Sequence, residues 1–231
     1  MAKYKEIVSM VLDLLKVTSD DSIFTEEHII FLAGRYRSFL LKQKYASDLK
    51  KQIPESNYQT ICLNLTIEEV IEGLPCQGGY YLSSVENIPD LLPIGTVRVG
   101  IPDSIFAGDI AYVSPDRLRY VGRNKWLENI IYASIANSGK LALKSGNPQY
   151  LYLKKATIKG IFENAEEASD LECSTYDAAN CDILDRDFPI EDALIAPLIE
   201  LVTKELSPSI PAPEDKENNA NDNLSPTPKT E

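Results

Sequence analysis

The stretch TEEHIIFLAGRYRSFLLKQKYASDLKKQIP, residues 25–54, opens as a helix opens. Thr25 stands as an N-cap, and Glu26 and Glu27 follow in the first turn, where the positive end of the helix dipole favours them. Lys42 and Lys44 stand near the other end, where cations are favoured. At 100° per residue Ile29, Leu32, Ala33, Tyr36, Phe39 and Leu40 fall into one apolar stripe about 120° wide. Apolar residues are left over. Ile30 and Leu41 lie on a flank beside Arg37 and Lys44, and Phe31 lies on the far side with Arg35, Ser38 and Lys42. A helix with two or three surfaces to cover is either buried deeply in its own fold or shared with neighbouring subunits, and the residues alone leave both open.

Upstream, Ile7, Val8, Val11, Leu14 and Leu15 repeat at helical spacing, so a helix over Tyr4–Val17 is expected. The polar run Thr18–Ser22 then turns the chain into the second helix as a helical hairpin over residues 1–54. Gly34 in mid-helix is unfavourable by about 1 kcal/mol against Ala, and a close helix crossing would account for it.

Downstream of Pro54 the period changes. Tyr58–Leu65 alternates and is β-prone. Short apolar runs then alternate with turn signals over residues 55–163, giving candidate strands at Tyr80–Leu82, Thr96–Val99, Ile110–Val113, Leu118–Val121, Ile130–Ala136, Lys140–Lys144 and Tyr150–Phe162. Asn137-Ser138-Gly139-Lys140 reads as a tight hairpin. This pattern implies an antiparallel sheet or small barrel, and nothing in it reads as βαβ. A helical segment over residues 164–206 follows: a short acidic helix at Asn164–Thr175, then one after Asp187-Phe188-Pro189 with Ile190, Leu194, Ile195, Leu198, Ile199 and Val202 as its apolar face. Pro189 suits its first turn, and Pro197 predicts a kink or break. Residues 207–231 hold five of the fourteen prolines and almost no apolar residues, so they read as a tail that is disordered unless a partner holds it. The fold class is thus α+β: an N-terminal helical hairpin, an antiparallel β-rich middle, a C-terminal helix and an extended acidic tail.

Composition narrows the function. At 44% hydrophobic and 25% charged residues the chain has the make-up of a soluble globular protein. It holds no run of 18 apolar residues for a membrane helix, and MAKYKEIVSM lacks the apolar segment of a signal peptide. The net charge of −12 is uneven. Residues 1–51 carry nine Lys/Arg against seven Asp/Glu, residues 52–159 ten of each, and residues 160–231 four against eighteen. An acidic C-terminal third argues against tight duplex-DNA binding. It fits a surface that repels nucleic acid, a tail for a basic partner, or simple solvation.

Groups for catalysis are sparse. Cys62, Cys76, Cys173 and Cys181 form no Cys-x-x-Cys pair, and His28 is the single histidine, so the cysteines read as free thiols and no zinc site is expected. No nucleophile elbow, phosphate loop or dinucleotide fingerprint is present. Asp182, Asp185 and Asp187 are the best candidates for carboxylate or calcium chemistry, but lack the glycine and spacing of an EF-hand, and a solvated acidic loop explains them as well. No catalytic residue, metal or cofactor is expected. The most functional-looking part of the β region is Arg117–Trp126. Tyr120 and Trp126 could stack bases while Arg119, Arg123 and Lys125 hold phosphates; alternatively it is a strand with outward basic residues and Trp126 in the core, or a protein interface.

The segments DDSIFTEEHIIFLAGRYRSFLLKQKY, KKQIPESNYQTICLNL, PIGTVRV, DIAYVSPDRLRYVGRNKWLENIIY and GNPQYLYLKKATIKGIFE together resemble the head-to-tail connector, or ring protein, of crAss-like short-tailed bacteriophages. The resemblance spans roughly residues 1–175. It implies a virion protein of a phage of Bacteroides-type gut bacteria, built in the host cytoplasm. It implies a ring, twelve-fold in related adaptors, at the tail neck below the portal. The partners implied are further copies of itself, the portal protein and other neck or tail rings, with DNA passing through the lumen unbound and no membrane contact. That role transfers no catalytic residues. The β-rich stretch between the helices is longer than in the smallest adaptors of this type. Ile30, Phe31, Arg35, Arg37, Leu41, Arg119, Arg123 and Trp126 are the residues expected at partner interfaces.

Overall fold

A computed structural model of the chain describes residues 2–15, 24–46, 52–69, 80–102, 110–118, 120–121, 125–172 and 182–207. Two hydrophobic cores organise them, one among helices and one inside a sheet.

The helical core joins α1 (Tyr4–Leu15), α2 (Glu26–Tyr45) and α5 (Asp192–Leu206). Thr25 caps α2, its hydroxyl accepting from the His28 N–H at 3.3 Å. From α1 come Ile7, Val8, Val11 and Leu15; from α2, Ile29, Leu32, Ala33 and Leu40; from α5, Leu194, Leu198, Ile199, Val202 and Leu206. Each fully buried aliphatic side chain contributes about 1.5–3 kcal/mol. The two N-terminal helices therefore share their core with a helix more than a hundred residues later, packed on both. Tyr36 Oη donates to Glu205 at 2.8 Å across the α2–α5 contact.

The second core lies within a seven-stranded sheet of order β3-β7-β1-β2-β6-β5-β4. Its strands are β1 (Gln59–Glu69), β2 (Tyr80–Ser84), β3 (Arg98–Gly100), β4 (Ala111–Tyr112), β5 (Tyr132–Ile135), β6 (Leu141–Lys144) and β7 (Lys155–Gly160). β1 pairs with β7 through its first half and with β2 through its second. Buried side chains recur every second residue, as a one-sided strand requires: Ile61 and Leu63 stand opposite Ile158 and Ala156, and Leu82 opposite Leu143. The two edges of the sheet meet. Ile110, just before β4, donates its N–H to Val99 O of β3 at 3.2 Å, in an antiparallel bridge. The expected antiparallel sheet is thus closed into a small barrel, which removes exposed edges. The β5–β6 hairpin turns where expected, with Gly139 at φ +76° and the Ala136 N–H donating to Lys140 O at 2.8 Å.

Several local expectations are corrected. Leu118–Val121 is not a strand: Pro115–Leu118 forms the short helix α3, followed by a turn. The connection through α3 joins β4 to β5 in parallel, the one parallel pair among the described strands; a four-residue helix is too short to leave an amphipathic period. Tyr150 belongs to a 3₁₀ turn, Pro148–Tyr152, ahead of β7. Pro189 is not in the first turn of α5, which starts at Asp192. Its carbonyl is taken by Arg37 instead. Pro197 does not break α5, since it and Ala193 are both exposed and the carbonyl that loses its partner can meet water. The acidic helix is shorter than expected, α4 being Ala165–Asp170, capped by Asn164. Cys62 is disulfide-bonded, contrary to free thiols; the fold brings residues 171–172 alongside β1, with the Cys62 N–H donating to Leu171 O at 2.7 Å, and sequence spacing could not show this. Cys76, Cys173, Cys181, the Thr18–Ser22 break and the tail beyond Ser207 lie outside the described residues.

Candidate assembly interface

The surplus apolar surface of α2 divides in two. Ile30 and Leu41 are buried in the subunit, and Arg37 is fully buried, so these three are not available to a partner as the sequence had suggested. The reason is long-range. α2 is covered along a broad arc by α1, α5 and the chain ends that meet there, a burial wider than any single stripe predicts.

Arg37 sits where those ends converge. Its guanidinium donates to three backbone carbonyls: Pro189 at 2.6 Å, Phe162 at 2.8 Å and Asn57 at 3.2 Å. Asn57 is buried too, and its side-chain oxygen accepts from the Glu191 N–H at 2.8 Å. The Glu191 carboxylate accepts from Tyr45 Oη at 2.8 Å and pairs with Lys44 at 2.9 Å. One polar network thereby ties α2 to the exit of β7, to the turn before β1 and to the start of α5. Burial lowers the Arg37 pKa to about 10, which leaves the group charged at neutral pH, and the three carbonyls partly replace its lost hydration. Asn57 and Glu191 escaped the sequence reading. The available signal was an arginine on a flank shared with Ile30 and Leu41.

Next to this network, Tyr4 packs edge-on against Phe188, ring centroids 4.9 Å apart. Burial pushes its phenol up to about 12, whereas an unfolded tyrosine ionises near pH 10. Its contribution is fully present below pH 10 and is lost as pH rises from about 10 to 12. The loss amounts to about 2–3 kcal/mol. Urea midpoints measured across that window should fall for the native chain, and fall less for Tyr4→Phe.

What remains exposed on α2 is a ridge. Phe31 and Phe39 are 55% and 54% exposed, with Arg35 between them and its guanidinium 5.8 Å from the Phe31 ring centroid. Phe39 was expected in the core stripe; the stripe closes without it, through Leu32 and Leu40. On one side of the ridge a hollow of about 400 Å³ is bounded by Phe31, Gly34, Ser38, Lys42 and the Glu163–Glu166 stretch. There the Ser38 hydroxyl donates to Glu163 O at 2.6 Å and Lys42 pairs with the Glu163 carboxylate at 2.9 Å. On the other side a smaller hollow of about 220 Å³ lies between Arg35, Tyr36, Phe39 and Glu205. A second apolar surface lies between α1 and α5, where Leu14, one of the apolar residues at helical spacing, is 60% exposed beside Met10.

Trp126 is not in the core, and Lys125–Leu127 forms a 3₁₀ turn and not a strand. Trp126 is 91% exposed and Tyr120 also faces solvent; Arg119 and Arg123 lie outside the described residues. Trp126→Ala should change stability by no more than about 1 kcal/mol, read as at most a small shift of the urea midpoint. The acidic trio is occupied in structural roles. Asp182 caps the 3₁₀ turn Ile183–Asp185, Asp185 pairs with Lys5 at 3.2 Å, and the backbone of Asp187 forms a β-bridge with that of Lys3. Among the described residues no group of three or more His, Cys, Asp or Glu is placed to hold a metal ion, and no helix is long and apolar enough to cross a membrane.

A subunit whose conspicuous surface features are apolar ridges and furrows on a helical bundle, joined to a small barrel, is of the class of structural assembly proteins. The chain belongs to the family described as phage tail ring protein 2, which matches residues 6–224. It is similar to "Ring protein 2" of Bacteroides phage crAss001, with 52% identity over 221 residues, 96% of this chain and 97% of that protein. It is thus a structural virion component, a tail ring protein of a crAss-like bacteriophage.

Proposed function

We propose that copies of this chain form a closed ring, a dodecamer, at the neck between portal and tail, prolonging the DNA channel and serving genome retention and ejection. The observation that supports it best is the exposed Phe31–Arg35–Phe39 ridge on a helix whose aliphatic side chains are all buried in its own fold, since large exposed apolar features flanked by polar residues mark protein contacts. Head-to-tail contacts that close by rotation generate such rings. The role needs no turnover of substrate. The excess of carboxylates after residue 160 suits a lumen through which DNA slides, because phosphate-neutralising cations are what make DNA binding tight. The portal protein and neighbouring tail rings are the partners proposed, with the Trp126 surface available to one of them.

Electron microscopy of the purified protein, alone and mixed with portal protein, tests this reading. Rings of twelve stacked on the portal are expected; single subunits under both conditions would remove it. The exposure of Tyr120 and Trp126 favours one other reading, a single-strand-binding module. Salt-sensitive retention of oligonucleotides, abolished in Trp126→Ala, would support that module in place of the ring.

A further inference from the structure

We propose that the α2 ridge of one copy seats in the α1–α5 furrow of the next copy, so that each subunit is a knob on one side and a socket on the other. The inference rests on the ring reading above and assigns its lateral contact.

The socket is a shallow, open furrow of about 730 Å³ whose apolar wall includes Met10, Leu14, Ala196 and Ile199, with Asp13 and Glu200 also lining it. Met10 and Leu14 lie one helical turn apart and remain exposed, although the stripe Ile7, Val8, Val11 and Leu15 already buries α1. They form a second apolar stripe that the described residues leave uncovered.

Charge matches the two surfaces. Arg35 on the ridge makes no ion pair among the described residues, and neither do Asp13 and Glu200 in the furrow; Lys204, also in the furrow, leaves it with a net negative lining. Seating the ridge brings the guanidinium to carboxylates that lack a partner, in a contact dried by Phe31 and Phe39.

Gly34 adds a separate argument. Among the described residues, a β-carbon built there would meet no atom of another element within 4 Å, so no close crossing between the described helices explains it. In a 20-residue helix glycine is disfavoured by about 1 kcal/mol, yet here its missing side chain deepens the hollow beside the ridge. A neighbouring subunit that uses the hollow accounts for it.

The placement is that of a head-to-tail contact. α1, α2 and α5 touch pairwise, and three helices in mutual contact have a triangular section, with the furrow between two of them opposite the outer face of the third. Two different, opposed patches generate rings or filaments, whereas a self-complementary patch generates a dimer.

Charge reversal provides the test, with assembly read by light scattering and negative-stain microscopy for the wild type alone and with portal protein. Arg35→Glu and the double variant Asp13→Arg/Glu200→Arg should each keep the wild-type circular dichroism and thermal midpoint, because all three residues lie on the surface, but should lose rings by about tenfold or more as like charges face each other. Mixing the two variants should restore rings, since every contact in an alternating ring again pairs opposite charges. Gly34→Leu should raise the thermal midpoint of the subunit and weaken the ring. Rings formed undiminished by the separate variants, or loss that mixing does not rescue, would overturn this contact and leave the ring itself standing. A wild type that never forms rings in either condition would overturn both.

Discussion

Arg37→Ala should lower the unfolding free energy by about 3–5 kcal/mol, seen as a large drop in the urea midpoint at fixed protein concentration. The side chain removed is fully enclosed and gives its donors to Pro189, Phe162 and Asn57. Three carbonyls then lose their partner where water does not readily replace it, and a cavity the size of an arginine opens between the helical core and the barrel. An unsatisfied buried group is unfavourable by about 1–3 kcal/mol, so the hydrogen bonds account for most of the effect. Arg37→Lys should recover only part. An ammonium is a compact point donor and cannot reproduce a planar fork aimed at three segments. Had Arg37 been an interface residue, Ala would have left the isolated subunit stable and weakened only the ring. Measuring both quantities separates the cases, and the first outcome is expected.

Gly95→Ala should destabilise by about 2–4 kcal/mol. Gly95 has φ +74°, and a β-carbon there would stand 2.7 Å from the Tyr58 hydroxyl, 3.2 Å from Ile53 Cδ1 and 3.3 Å from Ile161 Cδ1. Left-handed backbone geometry disfavours an L side chain by roughly 1–2 kcal/mol. The remainder comes from pushing Tyr58 away from the Thr96 N–H that it accepts at 3.4 Å, with two packed methyl groups blocking the retreat. Tyr58→Phe in the same chain should relieve part of the clash, so the double variant should be less destabilised than additivity predicts. Equal losses with and without Tyr58→Phe would place the whole effect in the backbone.

The elements themselves were legible because their signals are local. Thr25, the acidic first turn and the 3.6-residue period specify α2 without reference to anything distant, and the alternation of residues 58–65 specifies a strand in the same way. Asn137-Ser138-Gly139-Lys140 encodes its hairpin because glycine at positive φ is a property of four residues. The segment around Leu118 was misread because four residues carry too little periodicity to separate a helical turn from a strand. Exposure within the proposed interface set was only partly legible. Phe31 and Arg35 do face outward, whereas Ile30, Arg37 and Leu41 look identical to them in sequence and were claimed by α5 and the chain near residues 162 and 189.

By its own sequence this chain determined most of its longer helices, strands and turns, the α+β class and the family it resembles, since each depends on spacing within a few dozen residues. Only the tertiary structure decided that α5 returns to complete the N-terminal bundle, that Val99 meets Ile110 to close the barrel, and which apolar residues of α1 and α2 are left uncovered. Those outcomes depend on contacts between residues far apart in the chain, where one buried face is chemically indistinguishable from an exposed one until the partner surface is in place.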